Sequence, residues 1–144
     1  MHVHEILRAK GEAVETIGPR DTVRAAAQHM FTKRIGCLAV INADGRLAGL
    51  ITERDIVRTL SRRGSEASTT RVQDVMNTRV PVCTPNDDVR NIMVTMTELR
   101  HRHLPVVRDG RIVGIVSIGD VVKHRLQDLE LETHVLRDAY LAAH

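Results

Sequence analysis

Residues Asp44 to Asp55 read Asp-Gly-Arg-Leu-Ala-Gly-Leu-Ile-Thr-Glu-Arg-Asp, and residues Asp109 to Asp120 read Asp-Gly-Arg-Ile-Val-Gly-Ile-Val-Ser-Ile-Gly-Asp. The chain writes one sentence twice. Each copy has an Asp-Gly turn, a basic residue, an apolar run broken by one Gly, then a hydroxyl residue with an Asp three positions later. The likeness spreads outward. Val14 to Val23 lies over Val80 to Val89 with Pro19 on Pro85, Arg24 falls on Arg90, Met30 on Met96, and Leu38-Ala-Val-Ile on Leu104-Pro-Val-Val. Even the approaches agree, Val3-His-Glu-Ile-Leu against Val72-Gln-Asp-Val-Met. Two copies are too few for a solenoid and define a pseudo-symmetric pair. A unit of about 60 residues is marginal alone, so the halves are expected to share a core.

The local signals give each half the order β-α-β-β-α. In the first, a strap helix covers His2 to Lys10, a short strand Val14 to Ile17, and a helix runs from an Asp21 or Thr22 cap to about Lys33. Gly36 to Ile41 and Leu47 to Ile51 flank the Asp-Gly turn as a hairpin, and Thr52 opens a second helix. The second half repeats this with a strand at Val80 to Cys83, a helix from Asn86 or Asp87 to Arg100, strands Leu104 to Val107 and Ile112 to Val116, and a helix from Asp120. The fold class is mixed α/β. Its units are residues 1–64 and 72–128, joined by a polar linker at 65–71 and followed by a C-terminal helical extension at 129–144.

Composition narrows the function. Of 144 residues none is Trp, one is Tyr and one is Phe, so base stacking on aromatic side chains is not expected. The net charge of +3 and a sequence pI near 9.3 permit an anionic partner, but no basic helix or aromatic face points to nucleic acid. Two Cys, Cys37 and Cys83, are too few for a disulfide framework. No apolar run reaches the roughly 18 residues of a membrane span, and the N-terminus has no apolar core, so a cytoplasmic protein is expected. Nucleophile elbow, Walker loop and facing carboxylate pair are all missing from the sequence, and no enzyme is expected. His101 and His103 could reach one ion from alternate positions of an extended segment, but no third ligand has suitable spacing, and no metal is assigned.

The repeated hydroxyl-x-x-Asp carries the chemistry. Thr52 with Asp55, and Ser117 with Asp120, each set a hydroxyl and a carboxylate on one helix end. Such a pair makes an ordinary helix cap; it also suits a ribose, whose vicinal hydroxyls both donate to a carboxylate while helix amides favour a nearby phosphate.

With Leu-Pro-Val-Val before an Asp-Gly hairpin and then Gly-Ile-Val-Ser-x-x-Asp, the chain over about residues 1 to 128 resembles a tandem pair of cystathionine-β-synthase (CBS) domains, a Bateman module. It is closest in kind to small stand-alone bacterial proteins of one such pair. The resemblance implies two clefts between the halves for adenosine-containing ligands such as AMP, ADP, ATP, NAD or S-adenosylmethionine. It places Asp120 and Ser117 on the ribose of a main cleft, adenine against Thr16 and Ile17, and phosphates before Leu104 and Pro105 at Arg102 and His103. The second cleft takes Asp55, Thr52 and Arg54, with Cys83 and Thr84 on adenine; at its phosphate-facing positions Gly36 and Cys37 stand where the main cleft has Arg102 and His103, and they do not match the family's pattern. The resemblance implies a non-enzymatic regulatory sensor that signals to a protein partner and forms a homodimer through the helices after each hairpin. The alternative is a ligand-independent scaffold acting through its dimer and C-terminal helix.

Overall fold

A computed structural model describes residues 1–11 and 13–143. Glu12 and His144, within the expected first unit and C-terminal extension, lie outside the described residues. The elements follow in the order α1 (Val3–Lys10), β1 (Thr16–Ile17), α2 (Val23–Lys33), β2 (Cys37–Ile41), β3 (Leu47–Thr52), α3 (Glu53–Arg63), α4 (Val89–Leu99), β4 (His103–Arg108), β5 (Arg111–Ser117) and α5 (Ile118–Ala143). Two 3-10 turns, Gly64–Thr69 and Val72–Asp74, lie between α3 and α4. In the first half β1 runs parallel to β2, and β2 pairs antiparallel with β3, Leu38 facing Ile51. In the second, β4 and β5 pair antiparallel with Leu104 facing Val116. Both hairpins slip register at matching points, Val40/Ile41 and Val106/Val107. Duplication has preserved the irregularity along with the pattern.

One cap falls where the sequence signals it, and the other lies one residue further on. Thr22 Oγ1 accepts from the Ala25 amide at 3.1 Å and Asp88 Oδ1 from the Arg90 amide at 2.7 Å, satisfying amides that the first helical turn leaves unpaired. The second helix therefore starts at Val89, not at Asn86 or Asp87. Both helices close on an arginine in the left-handed region, Arg34 and Arg100, each at φ 56°. The strand expected over Val80 to Cys83 shrinks to a parallel bridge between Cys83 and Val106. In the first half the Ala39 amide donates to Glu15 O at 3.2 Å. Ala39 is matched in the second half by Pro105, which has no amide, so that rung of the ladder is lost. The linker is no free tether either. Ala67 within the first 3-10 turn is fully buried.

Packing exchanges the two approaches. Val3, Ile6 and Leu7 of α1 sit in the core of the second half with Ile92, Met96 and Leu104, whereas Val72, Val75 and Met76 pack with Leu38, Val40 and Ile51 of the first. The backbone bonds repeat the exchange. The Val3 amide donates to Asp87 O at 2.9 Å and that of Val72 to Asp21 O at 2.8 Å, and the amides of His4 and Gln73 reach Pro85 O and Pro19 O, each at 2.9 Å. A third cluster, Cys37, Ala39 and Leu50 against Val80, Ile112 and Ile115, joins the sheets.

The exchange explains the glycine within each repeated run. A Cβ on Gly49 would lie 2.6 Å from Asn77 O, and one on Gly114 would strike the Leu7 side chain, because each approach passes directly over the third strand of the other half. The obstacle at Gly49 is backbone, which cannot rotate away. Gly49→Ala is expected to destabilise the chain by about 1–3 kcal/mol through overpacking, read as a lower urea midpoint with unchanged slope. An unchanged midpoint would refute this account.

Candidate functional site

Both hydroxyl-x-x-Asp motifs form reciprocal caps. The Thr52 amide and hydroxyl donate to Asp55 Oδ2 at 2.9 and 3.1 Å, and the Asp55 amide returns a bond to Thr52 Oγ1 at 3.3 Å. The copy repeats it, with the Ser117 amide on Asp120 Oδ2 at 2.9 Å and the Asp120 amide on Ser117 Oγ at 3.1 Å. Each carboxylate is thereby fixed at a helix start. Beyond the cap the two differ. Asp55 is nearly buried and its Oδ1 faces Arg58 Nη1 at 3.3 Å. Asp120 is engaged by Lys10 Nζ at 2.8 Å, and the same ammonium donates to Ile115 O at 2.8 Å.

Two clefts open between the halves. One, of about 740 Å³, sets Thr52, Asp55, Arg54 and Arg58 from the first half against Arg100, His101, Arg102 and His103 from the second. Its four arginines outweigh Glu53 and Asp55, giving a cationic opening. The other, of about 290 Å³, holds Ser117, Ile115 and Lys10 against Glu15, Arg34 and Cys37. Gly36 and His103 border both.

This grouping differs from the sequence expectation, which placed Arg102 with Asp120. The segment before each hairpin faces the helix start of the opposite half, because the pseudo-two-fold axis brings the hairpin ends together head on. Arg102 accordingly stands over Asp55, and Cys37 over Ser117. Thr16 and Ile17 line neither cleft; Val14 and Glu15, just upstream, line the smaller one. Cys83 and Thr84 also line neither. Asn77 and Val80 take that place in the larger cleft, while Cys83 is buried beneath β4 and the Thr84 amide caps back to Asp87 at 2.8 Å. Leu104 and Pro105 are fully buried in the second half.

Sequence reading missed Lys10, Glu53, Arg58 and Asn77. Lys10 reaches Asp120 across 110 residues, a contact that no local pattern encodes. Arg58 was accessible, lying one helical turn beyond Asp55.

Electrostatics distinguish the groups. Burial pushes His103 below its usual range, helped by Lys10 and opposed by Asp120 and Glu53. Burial alone would hinder ionisation of Asp120, yet hydrogen bonds from Lys10 and the Ser117 amide hold its carboxyl below the ordinary value. Burial pushes both thiols up to about 12, Cys37 with the charge of Asp55 beside it and Cys83 with that of Asp87. The thiolate is the reactive species. Both cysteines are therefore expected to ignore Ellman's reagent at pH 8 in the native chain and to react once urea unfolds it. Rapid reaction of either thiol under native conditions would contradict this burial.

Two half-size units of one plan, the second with its first strand reduced to a bridge, exchange their approaches and enclose paired clefts, which defines a tandem pseudo-symmetric module. The CBS domain family model matches residues 4–62 and 72–127, and the chain belongs to that family. It is 34% identical over 129 residues to the mitochondrial CBS domain-containing protein CBSX3 of Arabidopsis thaliana, covering 84% of this chain and 63% of that protein. The crystal structure of the CBS-domain protein ATU1752 from Agrobacterium tumefaciens superposes with a TM-score of 0.84 at 38% identity, covering 87% of this chain and 99% of that one. The CBS domain pair of MJ0100, crystallised with 5′-methylthioadenosine and S-adenosyl-L-methionine, shares the fold at a TM-score of 0.79 and 23% identity, over 89% and 98% of the two chains. Among the described residues no helix is long and apolar enough to cross a membrane.

Proposed function

We propose that this chain is a non-enzymatic sensor that binds an adenosine-containing nucleotide, AMP, ADP, ATP or NAD, between its halves and signals by changing their relative arrangement. One observation carries the reading. The larger cleft sets a helix-start carboxylate and hydroxyl, Asp55 and Thr52, across from Arg100, Arg102 and His103. The first pair suits the ribose diol, and the second group suits phosphate. Its volume of about 740 Å³ falls within the range of small-molecule sites, roughly 300–1,000 Å³, and that MJ0100 holds adenosyl ligands on the same fold is consistent with this use. The smaller cleft, lined by Ser117 and by Lys10, whose ammonium stands between the cleft and Asp120, is the secondary site.

Ligand bridging the halves favours the arrangement it binds best, and the size of the response is limited by that difference in affinity. Two modules pair through α3 and the start of α5, where Val57 and Leu60 are 65% and 53% exposed. Calorimetric titration of the folded chain with AMP, ATP, NAD, S-adenosylmethionine and adenosine tests the reading. Saturable binding is expected, with the phosphate-bearing ligands tighter than adenosine. Absence of binding by all of them overturns the sensor.

A further inference from the structure

From Leu129 onward every described residue of α5 is exposed, so half of this 26-residue helix stands clear of the body. A helical segment of that length is marginal in water without packing. Its sequence names what packs there. Val122, Leu126, Leu129, Thr133, Leu136 and Tyr140 recur at alternating intervals of four and three, the period of a coiled-coil seam. The five apolar side chains among them are 42% to 71% exposed. Leu131, Val135 and Leu141 fall outside the seam, on separate outer positions.

We propose that residues 122–143 of α5 form a parallel, in-register, two-stranded coiled coil with the same segment of a second copy. Flanking charges select this occupant. In a parallel pair each g position faces the e position five residues on in the other strand. Arg125 then meets Glu130 of the second copy, and Glu132 meets Arg137, attractive on both sides of the seam. An antiparallel pairing opposes e to e and g to g, and its best register keeps Glu130 with Arg137 while Glu132 falls opposite Ala139. Leucine at the d positions 129 and 136 with the β-branched Thr133 at the central a position suits two strands, the Thr133 hydroxyl being satisfied within its own helix by Leu129 O at 2.9 Å. The coil does not require the clefts to bind nucleotide. It sets two modules side by side with their second halves adjacent.

Cross-linking of the full chain tests the geometry. Leu129→Cys should form a covalent dimer under oxidised glutathione, reversed by reductant, because in-register d positions face each other. Leu131→Cys, on the outer face, should not. The double variant Glu130→Arg, Glu132→Arg should raise the dimer dissociation constant in sedimentation by about tenfold or more, and adding Arg125→Glu with Arg137→Glu should restore it. Failure of Leu129→Cys to cross-link, equal cross-linking at both positions, or a dissociation constant unmoved by the charge swap overturns the proposal.

Discussion

Replacing Asp55 with alanine is expected to weaken binding of the tightest adenine nucleotide about a hundredfold, while Asp120→Ala leaves that first binding event within about threefold. The difference rests on the grouping of the clefts. A carboxylate accepting from two ribose hydroxyls makes two charge-assisted bonds, worth about 1.5 kcal/mol each when water is excluded, and 1.4 kcal/mol is tenfold in affinity. Asp55 is the carboxylate that shares its cleft with Arg100 and Arg102. The same substitution removes the acceptor for the Thr52 amide, costing about 1 kcal/mol of stability, so calorimetry belongs at a temperature where circular dichroism shows the variant folded. Equal affinity for wild type and Asp55→Ala, or loss confined to Asp120→Ala, would move the ligand to the other cleft.

Removing the Lys10 ammonium, as Lys10→Ala, should change the stoichiometry of adenosine-ligand binding from one to two. Lys10 occupies Asp120 Oδ2 and Ile115 O, so a ribose entering the smaller cleft must displace it. Asp55 is the more buried of the two, its side chain 9% exposed against 25% for Asp120, but among the described residues the only cation bonded to its carboxylate is Arg58, whose side chain is half exposed. The Lys10–Asp120 pair is itself partly exposed, and solvent screening holds its contribution to about 1 kcal/mol. Its pH dependence has a definite sign. The folded carboxyl of Asp120 lies below its ordinary value, so the contribution is complete above the unfolded value, about 3.9, and disappears as pH falls through the folded one. Urea titrations of wild type and Lys10→Ala should differ at pH 7 and converge in stronger acid. If Lys10→Ala abolishes the sole binding event instead, Lys10 is a phosphate ligand and the nucleotide sits at Asp120.

The duplicated sentence made most of the fold legible. Asp44-Gly45 and Asp109-Gly110 located both hairpins, and Thr52 and Ser117 marked two helix starts that the structure caps as their chemistry requires. What remained hidden depends on pairing across the chain. Nothing in Val3 to Leu7 says that they pack on the second half, since an apolar helical stripe fits either core equally well. The inversion of the cleft assignments has the same source, because a symmetric pair permits each arm to face its own helix or its neighbour's, and only packing decides. Pro105 is the reverse case. It could have been read from the sequence as a missing donor on the hairpin's edge, but the match of Leu104-Pro-Val-Val to Leu38-Ala-Val-Ile concealed it.

Arg34 and Arg100 end their helices with φ at 56°, a conformation in which glycine is the usual occupant. A chain optimised for folding alone would carry glycine at both sites and avoid a strain of about 1 kcal/mol each. Instead each holds a guanidinium at the mouth of a cleft, Arg34 at the smaller and Arg100 at the larger. Thermostabilising libraries scored only on melting temperature would favour glycine at these two positions, and the resulting proteins would be sturdier while having lost part of the positive field that draws an anion to either opening.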